Sequence, residues 1–392
     1  MAFDFNTPID RRGTDCIKFD FAAENGYPED ILPLWVADMD FQAPPCVTEA
    51  LAARVKHGIF GYSGTKDDYT QAVTGWFGRR FGWKPKGEWL VKTPGVVFAL
   101  ATAVRVMTRP GDAVLVQPPV YYPFYNVVRQ NDRRVVENPL VYANGRYRVD
   151  FADFEQKIVD EQVKLFILCS PHNPVCRVWT AEELQTIGTI CQKHGVKVVA
   201  DEIHCDFALP GYIHTPFLKA CPDLADQTLV CTAPSKTFNL AGLQVSNIFI
   251  PGEELRSAYQ AELDRISVHG LNCLGTVACK AAYLGGEAWL EECKAYMLEN
   301  LNFVRKFLAE KLPAIRLVEP EGTYFAWLDC SGLGLRPEQL EDLVVKKAGL
   351  WLDSGAIFGA CAAQFQRVVL ACPRATVEKA MEKLLAAVKA LK

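Results

Sequence analysis

The sequence is short of the features that mark several large classes of protein. Its 42 Lys and Arg residues nearly balance 46 Asp and Glu residues, and a net charge of −4 gives no bulk attraction to nucleic acid or to anionic membranes. No apolar run is long and clean enough to cross a bilayer. The first residues, MAFDFNTPIDRRGTD, contain no apolar stretch of the signal-peptide kind, so we expect a cytoplasmic protein.

A metal site is not indicated either. The six histidines show no HExxH-type spacing, and the fourteen cysteines include no CxxC pair. Several cysteines, such as Cys169 and Cys231, lie inside apolar segments, where cysteine behaves as a small buried hydrophobe. This usage suits a reducing cytosol.

What the chain does contain is an alternation of apolar strands and helices from about residue 90 to residue 250. The predicted strands are DAVLVQPP, VKLFILCSP, VKVVADEIH, QTLVCTAPSK and QVSNIFIPG. The segment TAEELQTIGTICQKHG has Thr180 as a cap, Glu183 three residues on and Gly195 as terminator, which predicts a helix. The pattern predicts an α/β fold with a mostly parallel central sheet and helices on both faces.

The pattern changes after about residue 285. A long amphipathic helix, EAWLEECKAYMLENLNFVRKFLAEKL, precedes paired strands in IRLVEPEGTYFAWLDCSG and a closing helix in ATVEKAMEKLLAAVKALK. We expect residues 1–50 to form an N-terminal arm and part of a small domain, residues 51–284 a large domain, and residues 285–392 a smaller α+β domain.

Polar residues recur where the predicted strands end. Asn173 follows one strand, Asp201 ends the next and Lys236 follows the third. Each has an ordinary explanation as a turn residue, a cap or a surface charge. In parallel sheets, however, ligands bind outside the carboxyl ends of the strands. The three residue types fit pyridoxal phosphate, which takes a lysine for the Schiff base, a carboxylate at the ring nitrogen and an amide at the phenolic oxygen.

Three further segments offer a phosphate site, a stacking ring and a carboxylate clamp. KTPGVVFALATAVRVM opens a helix whose free amides near Val96 and Val97 would bind an anion. In QPPVYYPF, Tyr121 could stack on a ring face, although core packing is equally open. In RVVLACPRATVEKA, Arg374 could clamp a substrate carboxylate or could be a surface residue at a helix start.

Ten segments occur in the order found in one family: FDFNTPIDRRGTDCIKFD, LPLWVADMDF, GYSG, TPGVVFAL, PPVYYPF, PHNPVCRVW, DEIHCDF, APSKTFNLAGLQ, EGTYFAWLD and LACPR. The chain resembles the fold-type-I pyridoxal-phosphate enzymes of the aminotransferase class I and II superfamily. More narrowly, it resembles the MalY/PatB group of cystathionine β-lyases, also called cysteine-S-conjugate C–S β-lyases. The resemblance runs nearly end to end.

This resemblance implies pyridoxal 5'-phosphate as cofactor and a role for each matching residue. Lys236 would be the Schiff-base lysine and proton carrier, Asp201 the partner of the pyridine nitrogen and Asn173 a contact of the phenolic oxygen. Tyr121 would stack on the ring and take part in catalysis. The phosphate would be held by the group Val96, Val97 and Ser235.

It also implies residues that bind the substrate and complete the site. Tyr62 in GYSG would reach the phosphate of the neighbouring subunit's cofactor, so we expect a homodimer with shared active sites. Arg374 would bind the carboxylate of a small amino-acid substrate, with the backbone of Ala37 and the side chain of Tyr122 beside it. His204 would lie near the phenolic oxygen or would be structural.

Four positions depart from the related aminotransferases and lyases. Gln244 replaces an arginine that binds phosphate in many aminotransferases, which fits the β-lyase branch, and Ala233 replaces a frequent serine. Cys176 and Cys361 fall where glycine is usual. Glycine permits turn geometries that cysteine does not, so these two changes would reshape the substrate mouth or cost stability.

The reaction implied is α,β-elimination on L-cystathionine or a related L-cysteine S-conjugate, giving a thiol, pyruvate and ammonia. One alternative is an aminotransferase with the same cofactor. A second is a regulatory pyridoxal-phosphate-binding protein that acts through a protein partner. The sequence leaves the preferred leaving group open.

Overall fold

The structure, a computed structural model, describes residues 2–391. The α-helices are α1 (Ile17–Asp20), α2 (Pro45–His57), α3 (Asp67–Phe81), α4 (Val96–Met107), α5 (Pro123–Arg129), α6 (Phe151–Asp160), α7 (Ala181–His194), α8 (Phe217–Ala220), α9 (Pro234–Thr237), α10 (Glu253–Arg265), α11 (Cys273–Gly285), α12 (Glu287–Lys311), α13 (Pro337–Asp342) and α14 (Arg374–Lys389). The β-strands are β1 (Leu32–Pro33), β2 (Leu90–Thr93), β3 (Ala113–Val116), β4 (Arg134–Glu137), β5 (Val141–Ala143), β6 (Arg146–Arg148), β7 (Val163–Cys169), β8 (Lys197–Asp201), β9 (Thr228–Thr232), β10 (Ser246–Phe249), β11 (Arg316–Val318), β12 (Phe325–Asp329), β13 (Leu350–Trp351), β14 (Asp353–Ser354) and β15 (Phe365–Val369).

The central sheet contains all five strands that the sequence predicts. Its order is β2-β10-β9-β8-β7-β3-β4. Strands β4, β3, β7, β8 and β9 are parallel, whereas β10 runs antiparallel to both β9 and β2. The prediction of an α/β fold with a mostly parallel sheet is therefore confirmed. The edge strands β2 and β4 are additions to the predicted set.

Successive residues of the central strands face two different cores. In β8, Val198 and Ala200 belong to one hydrophobic cluster, which includes α7, and Val199 belongs to another, which includes α4 and α10. Since side chains alternate across a strand, both faces of the sheet are buried beneath helices. Helix α7 begins with the predicted capping box of Thr180 and Glu183, and Gly195 ends it in the left-handed conformation.

A second, antiparallel sheet lies in the C-terminal part of the chain, with the order β11-β12-β15-β14. Its core is shared with α12 and α14. The N-terminal segment joins this part because β1 pairs with β13 in parallel. The domain limits expected from the sequence at residues 50 and 285 stay predictions. Among residues 2–391, no helix is long and apolar enough to cross a membrane.

Candidate active site

Three neighbouring parallel strands bring their carboxyl ends to one cavity of about 210 Å³. Asn173 follows β7, Asp201 ends β8, and Lys236 lies on the short helix α9 just after β9. Nine of the residues expected from the sequence line this cavity: Ala37, Val96, Val97, Tyr121, Asn173, Asp201, His204, Ser235 and Lys236. The topology therefore gathers residues that are far apart in the chain, as expected for the carboxyl edge of a parallel sheet.

Lys236 is a half-buried amine in the wall of the cavity. Its Nζ donates a hydrogen bond of 2.7 Å to the backbone oxygen of Ala37. Burial lowers the pKa of Lys236 to about 8, and the nearby positive charge of Arg367 acts in the same direction. Asp38 and Asp201 oppose this shift. A lysine with so low a pKa is neutral in a large fraction of molecules near pH 8, as a nucleophile or base must be.

Asp201 is a buried carboxylate with few partners. Its Oδ1 accepts one hydrogen bond, 3.1 Å long, from the backbone N–H of Ile203. Burial raises the pKa of Asp201 to about 7, although that N–H and Lys236 oppose the shift. No Lys, Arg or His side chain among residues 2–391 forms a direct ion pair with it. A carboxylate of this kind is costly to bury, and a cationic ligand in the cavity would offset the cost.

His204 faces the cavity as a neutral imidazole. Its Nδ1 is buried and has no hydrogen-bond partner within the described chain. Burial lowers the pKa of His204 well below its usual value, and Lys236 and Arg367 add to the effect. The ring packs edge-on against Tyr324 and Phe325. His204 therefore contributes a neutral aromatic ring to the cavity wall.

The N-terminus of α4 provides the anion site. Gly95 precedes the helix without any side-chain cap, and the first helical bond runs from the N–H of Ala99 to its carbonyl. The amides of Val96 and Val97 therefore have no partner inside the helix, and both residues line the cavity. Ser235 and Gln244 line it as well. Free amides at a helix start favour a phosphate group.

The structure corrects the position expected for Arg374. Its Nε donates to Oδ1 of Asn300 at 2.7 Å, and its guanidinium lies over the ring of Phe303. Both partners belong to α12, so Arg374, the first residue of α14, joins two helices outside the cavity.

Arg367 in the middle of β15 does not itself line the cavity, but it contacts the site through Asn173, which does. It is 3% exposed, and its Nη1 donates to Oδ1 of Asn173 at 2.8 Å. Its Nη2 donates to the backbone oxygen of Trp35 and forms an ion pair with Asp353, its cross-strand neighbour on β14. The signal in the sequence is a charged residue inside an apolar strand, FQRVV, because burying an arginine requires partners.

Two tyrosines expected at the site do not line the cavity. Tyr62 is fully exposed, and Tyr122 is 39% exposed beside Tyr121, with ring centroids 5.5 Å apart. Their roles stay predictions. Tyr121 itself lines the cavity, and burial raises its pKa above the ordinary value.

The two cysteines at positions where glycine is usual lie outside the cavity lining. Cys176 has a φ of 60°, the left-handed region that favours glycine, and its Sγ lies 3.2 Å from Oγ1 of Thr323. Cys361 is exposed in a short 3-10 turn. The strain at Cys176 therefore comes from its left-handed backbone conformation, and the residue is buried.

Comparison with known proteins places the chain in a family. Residues 29–384 match the family model described as aminotransferase class I and II. The chain is 44% identical to cystathionine beta-lyase PatB of Bacillus subtilis, covering 98% of this chain and 99% of that protein. It is 31% identical to protein MalY of Escherichia coli over the full length of both.

A solved structure agrees with these relatives. The chain superposes on the crystal structure of cystalysin from Treponema denticola, which contains a pyridoxal 5'-phosphate cofactor, with a TM-score of 0.96. The two sequences are 36% identical, and the match covers all of both chains. The chain therefore belongs to the aminotransferase class I and II family and, within it, to the group of PatB and MalY.

Proposed function

We propose that the protein is a pyridoxal-phosphate-dependent C–S β-lyase that acts on L-cystathionine or a related L-cysteine S-conjugate. The observation that carries the proposal is the cavity shared by a low-pKa lysine, Lys236, and an unpaired buried carboxylate, Asp201. Kinship with PatB, a cystathionine β-lyase, supports this reaction over others on the same fold.

The residues present fit pyridoxal phosphate. Asp201 would hold the protonated ring nitrogen, which gives this carboxylate the cationic partner that it lacks. The free amides of Val96 and Val97 would hold the phosphate, and Ser235 would add a hydroxyl. Asn173 and His204 would serve the phenolic oxygen, with Tyr121 against the ring.

Each residue around the substrate has a task in the elimination. When bound, pyridoxal phosphate supplies an electron sink for the pair released at the substrate Cα. Arg367 binds the substrate carboxylate, in place of the Arg374 expected earlier, because Arg367 is buried beside Asn173. Neutral Lys236 takes the proton from Cα on its Nζ and returns it to the leaving sulfur. The elimination releases the thiol and 2-aminoacrylate, and water hydrolyses the imine tautomer of 2-aminoacrylate to pyruvate and ammonia.

The active form would be a homodimer. On the single chain, Tyr62 and its neighbours Ile59 and Phe60 form a strongly exposed apolar segment. A second copy that covers this segment would bring Tyr62 to the phosphate of its neighbour, as the resemblance implies. We place the enzyme in the cytoplasm, since its fourteen cysteines are all free thiols.

The test is pyruvate release from L-cystathionine by the purified protein loaded with pyridoxal phosphate, with no 2-oxo acid present. Many turnovers of pyruvate are expected. Turnover that depends on an added 2-oxo acid would instead make the protein an aminotransferase. The Lys236→Ala variant is the matched control, and near-wild-type turnover by this variant would contradict the assigned role of the lysine.

A further inference from the structure

One short loop contacts both cations of the site. We call residues 35–40 the carbonyl loop. Its Trp35 oxygen accepts a 2.9 Å hydrogen bond from Nη2 of Arg367. Its Ala37 oxygen accepts hydrogen bonds from Nζ of Lys236 at 2.7 Å and from the hydroxyl of Tyr324 at 3.0 Å. The position of this loop therefore sets the surroundings of both side chains.

The carbonyl loop carries two carboxylates of a four-charge cluster, in addition to backbone contacts of residues 39 and 40 with Asn239 and Ala371. Arg11 contacts Asp38 at 2.6 Å and Asp40 at 2.7 Å through its two terminal nitrogens. Lys18 contacts Asp40 at 2.8 Å and Asp38 at 3.5 Å, and its side chain is 0% exposed. Burial alone would lower the pKa of Lys18, but the two carboxylates outweigh it and raise the pKa. Two positive and two negative charges thus balance each other, with Lys18 fully buried and Arg11 24% exposed.

The N-terminal arm, residues 2–20, has other anchors, so the cluster is not needed merely to attach it. Phe5 is buried against Phe41, Trp289 and Tyr296. The backbone amides of residues 2 and 3 donate to the carboxylate of Glu292. A buried charge cluster rarely contributes more to stability than apolar packing of the same volume. Because the charge cluster lies on the carbonyl loop, its role is better explained by the active-site residues that this loop contacts.

We propose that Lys18 and Arg11 are positioning residues for the reaction. Through the two carboxylates of the carbonyl loop, they fix the backbone oxygens that contact Lys236 and Arg367. This inference rests on the proposed function for its kinetic readout only. Neither residue lines the cavity, and each acts through the loop.

The first variant is Lys18→Met, which keeps the length of the side chain and removes its charge. We expect KM for L-cystathionine to rise about tenfold with a smaller change in kcat, because small misplacements of binding groups are costly in such sites. A second readout is the pH midpoint at which absorbance of the lysine-bound cofactor changes. It should move by roughly half a pH unit as the surroundings of Lys236 change.

Two further variants separate positioning from folding. Lys18→Arg keeps the charge and should return KM to within about threefold of wild type and the absorbance midpoint to its wild-type pH. Arg11→Gln removes the second cation at a less buried position and should act like Lys18→Met. Arg12→Gln is the matched control, because Arg12 is 58% exposed and its charged partner is Asp10, at 3.7 Å, rather than a carboxylate of the carbonyl loop. Its guanidinium also lies over the ring of Phe19. The Arg12→Gln variant should change KM by no more than about twofold.

The outcomes distinguish the inference from the proposed function. If Lys18→Met does not fold, Arg11→Gln carries the test. Folded variants that lose thermal stability but keep the wild-type KM and pH midpoint would overturn the inference. If the wild-type protein releases no pyruvate, the proposed function fails, and the absorbance midpoint alone still decides whether the cluster positions Lys236.

Discussion

Replacement of Arg367 by lysine tests the corrected assignment of the carboxylate clamp most directly. The variant keeps a positive charge opposite Asp353, so no buried carboxylate is left without a partner. It removes the guanidinium group, whose two terminal nitrogens contact Asn173, Trp35 and Asp353 at the same time. A single ammonium cannot satisfy these three acceptors and also hold a substrate carboxylate in a bidentate pair.

The expected loss follows from the bonds removed. A hydrogen bond to a charged group contributes about 1.5–3 kcal/mol. Losing one such bond to the substrate carboxylate lowers kcat/KM by about 10- to 150-fold. Most of the change should appear in KM, since the carboxylate is held both in the bound substrate and in the transition state. Steady-state pyruvate release at varied L-cystathionine concentration measures both constants.

Arg374→Ala is the matched control for Arg367→Lys. It removes the donor to Oδ1 of Asn300, a fully buried side chain, and should lower the free energy of unfolding by about 1–3 kcal/mol. KM should stay within about twofold of wild type, because Arg374 bonds to Tyr296 and Asn300, which do not line the cavity, whereas Arg367 bonds to Asn173, which does. A rise in KM for Arg374→Ala as large as that for Arg367→Lys would refute the assignment.

Three other predictions concern the cofactor and the dimer. In the cofactor-free protein, the rate at which pyridoxal phosphate reacts with Lys236 should rise with pH and level off above about pH 8, because burial lowers the pKa of Lys236 to about 8. Rapid-mixing absorbance experiments measure this rate, and a rise that continues to pH 10 would contradict the prediction. Asp201→Asn should weaken pyridoxal phosphate binding in equilibrium dialysis. Because burial raises the folded-state pKa of Asp201 to about 7, ionisation destabilises the folded protein at higher pH, so the same variant should stabilise the cofactor-free protein at pH 8 by about 1–3 kcal/mol in urea unfolding; destabilisation would count against the unpaired carboxylate. Mixing inactive Lys236→Ala with Tyr62→Phe subunits should give hybrid dimers with one complete site and regained activity, whereas no regain would exclude sharing of Tyr62.

The sequence located the parts of the site that depend on local signals. Asn173, Asp201 and Lys236 are polar residues at the ends of apolar strands, and parallel strands bring such ends together whatever the rest of the fold does. The start of α4 was also visible as a Pro-Gly pair before a helical pattern. The strands of the central sheet are predictable for the same reason. An apolar run or a helix cap can be recognised from a few consecutive residues.

The carboxylate clamp depends instead on non-local pairing. Arg367 and Arg374 lie seven residues apart around one apolar run. The position of Arg367 inside that run indicates that it is buried with partners, but not that one of those partners is Asn173 at the cavity. The positions of the two arginines depend on their partners. Asp353 lies opposite Arg367 in the β14–β15 register, and Asn300 on α12 bonds to Arg374. Contacts of this kind join segments far apart in the chain, which one sequence does not reveal.

Burial acts on the two central groups in opposite directions, with a common result. It raises the pKa of Asp201 to about 7 and lowers that of Lys236 to about 8, so in both cases it favours the neutral form. A direct ion pair between the two would relieve both costs, yet Lys236 donates to the Ala37 oxygen instead. The hydrogen bond to the carbonyl loop thus stands in place of an ion pair between the two side chains. Displacement of the loop in Lys18→Met should therefore let the pair form in the cofactor-free protein. The reaction of Lys236 with pyridoxal phosphate should then level off at a higher pH than in wild type.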